Sequence, residues 1–235
     1  MQTSLPRTDA PHEDLIRELA AGLAPVRRLA PPPLRALAWL AAVVLVACAL
    51  AAFADLASVW RRITATPDMS LAVLGSILTM GLAALAAFEL SLPDASRAWA
   101  LLPLPAALLW IAASGFGCLR GYVLPQTHVA AAGETGDCLA FIVGLSVPLS
   151  ALLIVMLRRA CSLQPGLTAA MGGLAAAAAA ATLLNFFHPF DAAATDLAVH
   201  AVAVTLVVVV HRALGARLLA EDFLRAGVTR GVART

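Results

Sequence analysis

Three side chains able to ligate a metal or exchange electrons fall on one polar stretch between two apolar runs. Cys118 lies in "SGFGCLRGY" (114–122), Cys138 in "GDCLAFIVG", and His128 stands between them with Glu134 and Asp137. A second polar turn, "HPFD" at 188–191, carries His188 and Asp191; Asp196 and His200 follow, one helical turn apart. Three readings of the cysteine pair stand open. A disulfide would close a loop of about twenty residues and stabilise the fold by about 3 kcal/mol in the chain-entropy model. A metal site would use Cys118, Cys138 and His128, with His188 or Asp191 as further ligands, and would suit zinc or a softer heavy metal bound transiently. The third reading is two unrelated thiols at helix ends, since Cys-x19-Cys is not a metal motif by itself. Asp191 likewise reads either as a helix cap or, with His188 and His200, as part of a cluster that responds to pH or metal.

The elements that must hold these residues are membrane spans. Of 235 residues, 61% are apolar and 13% charged, where a soluble domain is about a quarter charged. The apolar residues come in blocks long enough to cross about 30 Å of hydrocarbon. Six are expected, at 35–54, 70–92, 98–117, 138–157, 166–187 and 193–213. The fold class is therefore all-α: a six-transmembrane-helix bundle (34–214) between an N-terminal tail (1–33) and a C-terminal tail (215–235). Residues 1–30 carry Asp9, Glu13, Asp14 and Glu18 before any apolar core, which is not a signal-peptide pattern.

All sixteen basic residues are arginine. With the N-terminus inside, thirteen fall on the cytoplasmic side and three (Arg61, Arg62, Arg120) outside. The positive-inside rule then puts both termini in the cytoplasm. The cysteine-bracketed stretch and "HPFD" face the oxidising periplasm, where thiols can pair. Cys48 is expected as a small apolar filler in the first span, and Cys161 as a reduced cytoplasmic thiol.

Little else in the spans offers chemistry. "GGLAAAAAAA" at 172–181 lets helix backbones approach closely. Pro103, Pro105 and Pro148 are expected to interrupt the third and fourth spans. A small six-helix transporter, or a metal-binding membrane protein, is the alternative class. A transporter would want mid-membrane ionisable pairs, and no acidic residue there has a cationic partner. HExxH, GxSxG and Walker A patterns are missing, so no enzyme is expected. A net charge of +2 gives no case for direct nucleic-acid binding.

The tail has a pattern of its own. Asp9 can cap a helix, and Glu13, Asp14 and Glu18 suit its early turns. Leu15, Ile16, Leu19 and Leu23 share one stripe, and Pro25 ends the helix. A short amphipathic helix of this kind suits a partner's groove, the bilayer surface, or the bundle itself.

"EDLIRELAAGLAPVRRLAPP", the Arg-to-Trp entry "RALAWL", "GFGCLRGY", "GDCLAFI" and "FHPFD…H", in that order, resemble the NrsF family of bacterial inner-membrane anti-sigma factors from about residue 12 to about 215. The resemblance implies six spans and an extracytoplasmic-function sigma factor as partner. It implies docking through the cytoplasmic tail, with contacts at Asp14, Leu15, Ile16, Leu19, Arg27 and Arg28. It also implies release on metal or oxidative stress, with periplasm-facing cysteines taking part. The loops at 93–97 and 158–165 are further places where a two-domain sigma factor could be gripped.

Overall fold

Three of the long helices begin on proline, whose fixed φ suits a first helical turn and whose missing N–H costs nothing there. These are α2 (Pro32–Ala51), α4 (Pro67–Leu90) and α7 (Pro165–Leu184). The others are α1 (Ala10–Ala21), α3 (Leu56–Ala65), α5 (Leu104–Val123), α6 (Ala132–Leu157) and α8 (Ala194–Val210). A 3₁₀ turn (Arg97–Leu101) leads into α5, and a π turn (His211–Gly215) continues α8. The computed structural model describes residues 10–21, 28–123, 132–160, 162–187, 194–215 and 217–218, and no strand occurs among them.

Among the described residues, five segments are long and apolar enough to cross a membrane: Pro32–Ala51, Pro67–Leu90, Arg97–Gly117, Leu139–Leu157 and Pro165–Leu184. The sixth expected span corresponds to the shorter α8 and its π turn. The helix starts at 32, 67 and 132 precede the expected 35, 70 and 138. Proline and acidic residues that look like loop in sequence occupy first turns instead, where carboxylates meet the positive end of the helix. Pro103 and Pro105 stand at the entrance to α5, so only Pro148 lies inside a helix. The stretch at 55–68, expected as a polar break, contains α3. Asp55 caps it by accepting from the N–H groups of Ala57 and Ser58 at 3.1 and 3.2 Å.

The long helices alternate in direction around α7, which packs against α4, α6 and α8. Its alanine run is buried from Ala175 to Ala181. A Cβ on Gly173 would stand 2.7 Å from the Cβ of His211 and 3.1 Å from the Cα of Val208. Only glycine allows α8 so close. On α4, a Cβ on Gly75 would meet the backbone N and Cα of Trp110 at 2.7 and 2.8 Å. These contacts bear out the expectation of tight packing by small residues. Trp39, Phe88, Leu153 and Leu157 fill the wider gaps between α2, α4, α6 and α7. Cys48 is exposed on α2 and does not fill the core. Cys161 lies outside the described residues.

Candidate functional site

The bundle has two ends of different chemistry. At the tail end, α2, α5 and α7 start and α4, α6 and α8 finish. At the α3 end the reverse holds.

The tail end is held by hydrogen bonds between helix termini. Arg35, 6% exposed, donates from Nη1 to Ser91 Oγ at 3.2 Å and from Nη2 to the Met156 carbonyl at 2.5 Å. Its guanidinium lies 4.7 Å from the centroid of the Phe88 ring. Ser91 donates in turn to the Phe88 carbonyl at 2.6 Å. A cation therefore sits where the carbonyls of α4 and α6 run out, which is where a helix dipole favours it. One turn further on, Trp39 Nε1 donates to the Leu149 carbonyl at 3.1 Å. Thr168 and Ser162 both donate to the Leu90 carbonyl at 3.0 Å, and Gln164 Nε2 donates to the Ala95 carbonyl at 3.2 Å. The two loops that could help grip a partner, 93–97 and 158–165, are thus bonded to each other.

In the sequence Arg35 served as an orientation signal and as part of the "RALAWL" entry motif, and its role in joining helix ends was missed. The available signal was Arg followed by Trp four residues later in a span's first turns. An arginine there must find acceptors inside the bundle or reach out of the bilayer.

The tail carries α1, which ends at Ala21, before Pro25. Asp14 accepts from Arg17 at 2.9 Å, an exposed pair of little energetic weight. Leu15, Ile16 and Leu19 are 52%, 64% and 47% exposed, so these three side chains of the stripe do not pack on the bundle; Leu23 lies outside the described residues. Arg28 is exposed on the connector that leads through Pro31–Pro33 to Arg35. Arg27 lies outside the described residues.

At the α3 end the two cysteines are not loop residues. Cys118 stands five positions before the end of α5 and Cys138 six positions into α6, about 8–9 Å of helix from those ends. Residues 124–131 separate the helices and include His128, which lies outside the described residues, as do His188 and Asp191. α5 and α6 share α8 as a neighbour. Ile142 of α6 packs in one cluster with Ala203 of α8. One turn towards the α3 end from these two stand Cys138 on α6 and His200 on α8. On α5, Gly117 leaves room for Asp68: a Cβ there would lie 2.8 Å from Asp68 Oδ2. A carboxylate of α4 therefore approaches α5 one residue from Cys118. Among the described residues no group of three metal-ligating side chains converges. Of the expected trio, His128 lies outside the described residues, and the side chains of Cys118 and Cys138 are not described.

The family model described as "NrsF: Negative regulator of sigma F" matches residues 19–220. The chain belongs to the NrsF family. That name gives it a regulatory role, not an enzymatic one, and a sigma factor as the partner it restrains. The family match begins inside α1, so it includes Leu19, Arg27 and Arg28 and leaves Asp14, Leu15 and Ile16 upstream. No curated protein and no solved structure matches the chain.

Proposed function

We propose that this NrsF protein holds an extracytoplasmic-function sigma factor inactive at the bacterial inner membrane and frees it on a periplasmic metal or redox signal. Both termini face the cytoplasm, six helices span the bilayer, and α1 supplies the grip. The observation that carries the docking half is the exposed stripe of Leu15, Ile16 and Leu19 on a helix tied by a short proline connector to the bundle. A lone twelve-residue helix is marginal in water, so folding onto a groove stabilises it. Asp14 fixes register on the partner, and Arg27 and Arg28 meet acidic side chains beside that groove.

The sensing half draws on the placement of Cys138 level with His200, with α8 between the two cysteine-bearing helices. Soft metal or oxidant acts on Cys118 and Cys138, with His128, His188, Asp191 and His200 as the further ligands or proton carriers. Drawing α5 and α6 together displaces α8. Because α8 packs on α7 through Gly173 with no slack, the displacement carries through the bundle to the tail end. There Arg35 joins the ends of α4 and α6 to the root of the tail. Packed interfaces of this kind switch between discrete arrangements and do not deform smoothly.

The test is sigma-dependent reporter transcription. Cys118→Ser and Cys138→Ser should each abolish induction by metal or oxidant while repression persists. Induction equal to wild type in both variants refutes the sensing half. Deleting residues 1–29 should give transcription independent of signal, and repression that survives the deletion refutes the docking half.

A further inference from the structure

We propose that α3 is a lipid-docking helix, lying in the headgroup boundary of the bilayer leaflet at the α3 end. Leu56 and Trp60 meet acyl chains there, and Arg61 meets lipid phosphates. The inference rests on the membrane reading above.

Ten residues make a helix of about 15 Å, too short to cross. Both its ends are nonetheless held at the level where spans finish, since α2 ends at Ala51 and α4 begins at Pro67. Its roll is fixed against the bundle. Val59 is buried, Ser70 Oγ donates to the Ile63 carbonyl at 2.6 Å, and Arg62 Nη2 donates to the Asn185 carbonyl at 2.6 Å.

With Val59 facing the bundle, the rest of the wheel follows at about 100° per residue. Ile63, Leu56 and Trp60 follow on one side at about 40°, 60° and 100° from Val59, and Arg61 lies about 100° beyond Trp60. Leu56 is 51% exposed, Trp60 69%, and Phe53, just before the helix, 84%. The exposed surface is thus split into an apolar edge and a basic edge. That division marks a helix lying in a membrane interface, and tryptophan is enriched at that depth. Along the chain this edge follows, through Phe53, a helix long and apolar enough to cross the membrane, α2, whose Val44 and Leu45 are 58% and 71% exposed. This continuity favours lipid over a second copy of the chain as the occupant. Arg62 then ties a lipid-bound helix to the last turn of α7, so the state of the leaflet bears directly on the central helix.

Tryptophan quenching in proteoliposomes of phosphatidylcholine and phosphatidylglycerol tests the assignment. The full chain is reconstituted with lipid spin-labelled either near the headgroup or near the chain end. The Trp60 signal is the difference between wild type and Trp60→Phe. It should lose most of its intensity to the headgroup-proximal label, little to the chain-end label, and be indifferent to protein dilution in lipid. Quenching by aqueous iodide with no response to either lipid label overturns the proposal. So does lipid quenching that appears only on dilution, because a second copy then covers the helix. If the tryptophans left in Trp60→Phe respond to neither lipid label, the membrane reading itself fails, a result distinct from failure at α3 alone. A fluorophore on Leu56→Cys, in a chain whose four native cysteines are replaced by serine, gives the same readout should Trp60→Phe not fold.

Discussion

Gly75 and Gly81 lie on the same helix, and alanine should have opposite effects at the two. In the middle of a helix, glycine is less favourable than alanine by about 1 kcal/mol. At Gly81 a new Cβ meets nothing within 4 Å, so Gly81→Ala should stabilise by up to about 1 kcal/mol. At Gly75 the new Cβ meets the backbone N, Cα and Cβ of Trp110 at 2.7, 2.8 and 3.0 Å. Backbone cannot rotate aside, so α4 and α5 must separate. Overpacking of a fitted interface costs about 1–3 kcal/mol, and loss of contact along the rest of the α4–α5 seam adds to it. After the gain in helix propensity, Gly75→Ala should still be destabilising by about 1–2 kcal/mol. Thermal unfolding of the detergent-solubilised protein, followed by tryptophan emission, measures both variants. Matching signs, or an unchanged Gly75→Ala, would refute the close approach of α4 and α5.

Further outcomes follow from named bonds. Arg35→Ala removes two hydrogen bonds from a charged donor and a ring contact. Net of the cost of burying the charge, it should destabilise by about 2–4 kcal/mol, and Arg35→Lys should recover only part of this; the same unfolding assay checks both. Asp55→Ala removes the α3 cap at a cost of about 0.5–2 kcal/mol. Hydrogen exchange should show faster amide exchange across 56–65 with the bundle helices unchanged.

The apolar runs made five long helices legible, because runs long enough to cross hydrocarbon are longer than most soluble segments. The small residues of α7 were legible for a similar reason: in lipid, close backbone approach replaces hydrophobic burial. Edges were harder. Glu134 and Asp137 look like loop, yet they belong to the first turns of α6, so the cysteines turn out to lie inside helices. Helix α3 was hidden because Asp55, Arg61, Arg62 and Asp68 made residues 55–68 look like a charged connector, though Asp55 before "LASVWRRITA" is a capped amphipathic pattern. Arg35 could be counted but not paired, since its acceptors lie 56 and 121 positions away. The closeness of Gly75 to Trp110 and of Gly173 to His211 is likewise long-range, and no local pattern carries it.

The central claim is that α1 grips a sigma factor through its exposed stripe. The direct measurement is affinity capture of the detergent-solubilised full chain, co-expressed in turn with each extracytoplasmic-function sigma factor of its own genome. Wild type is compared with a variant carrying Leu15→Asp, Ile16→Asp and Leu19→Asp. All three side chains are exposed on α1, so the bundle should fold unchanged, as tryptophan emission will show. The account predicts stoichiometric sigma factor on the wild-type chain and none on the variant. Equal recovery of sigma factor on both would contradict it.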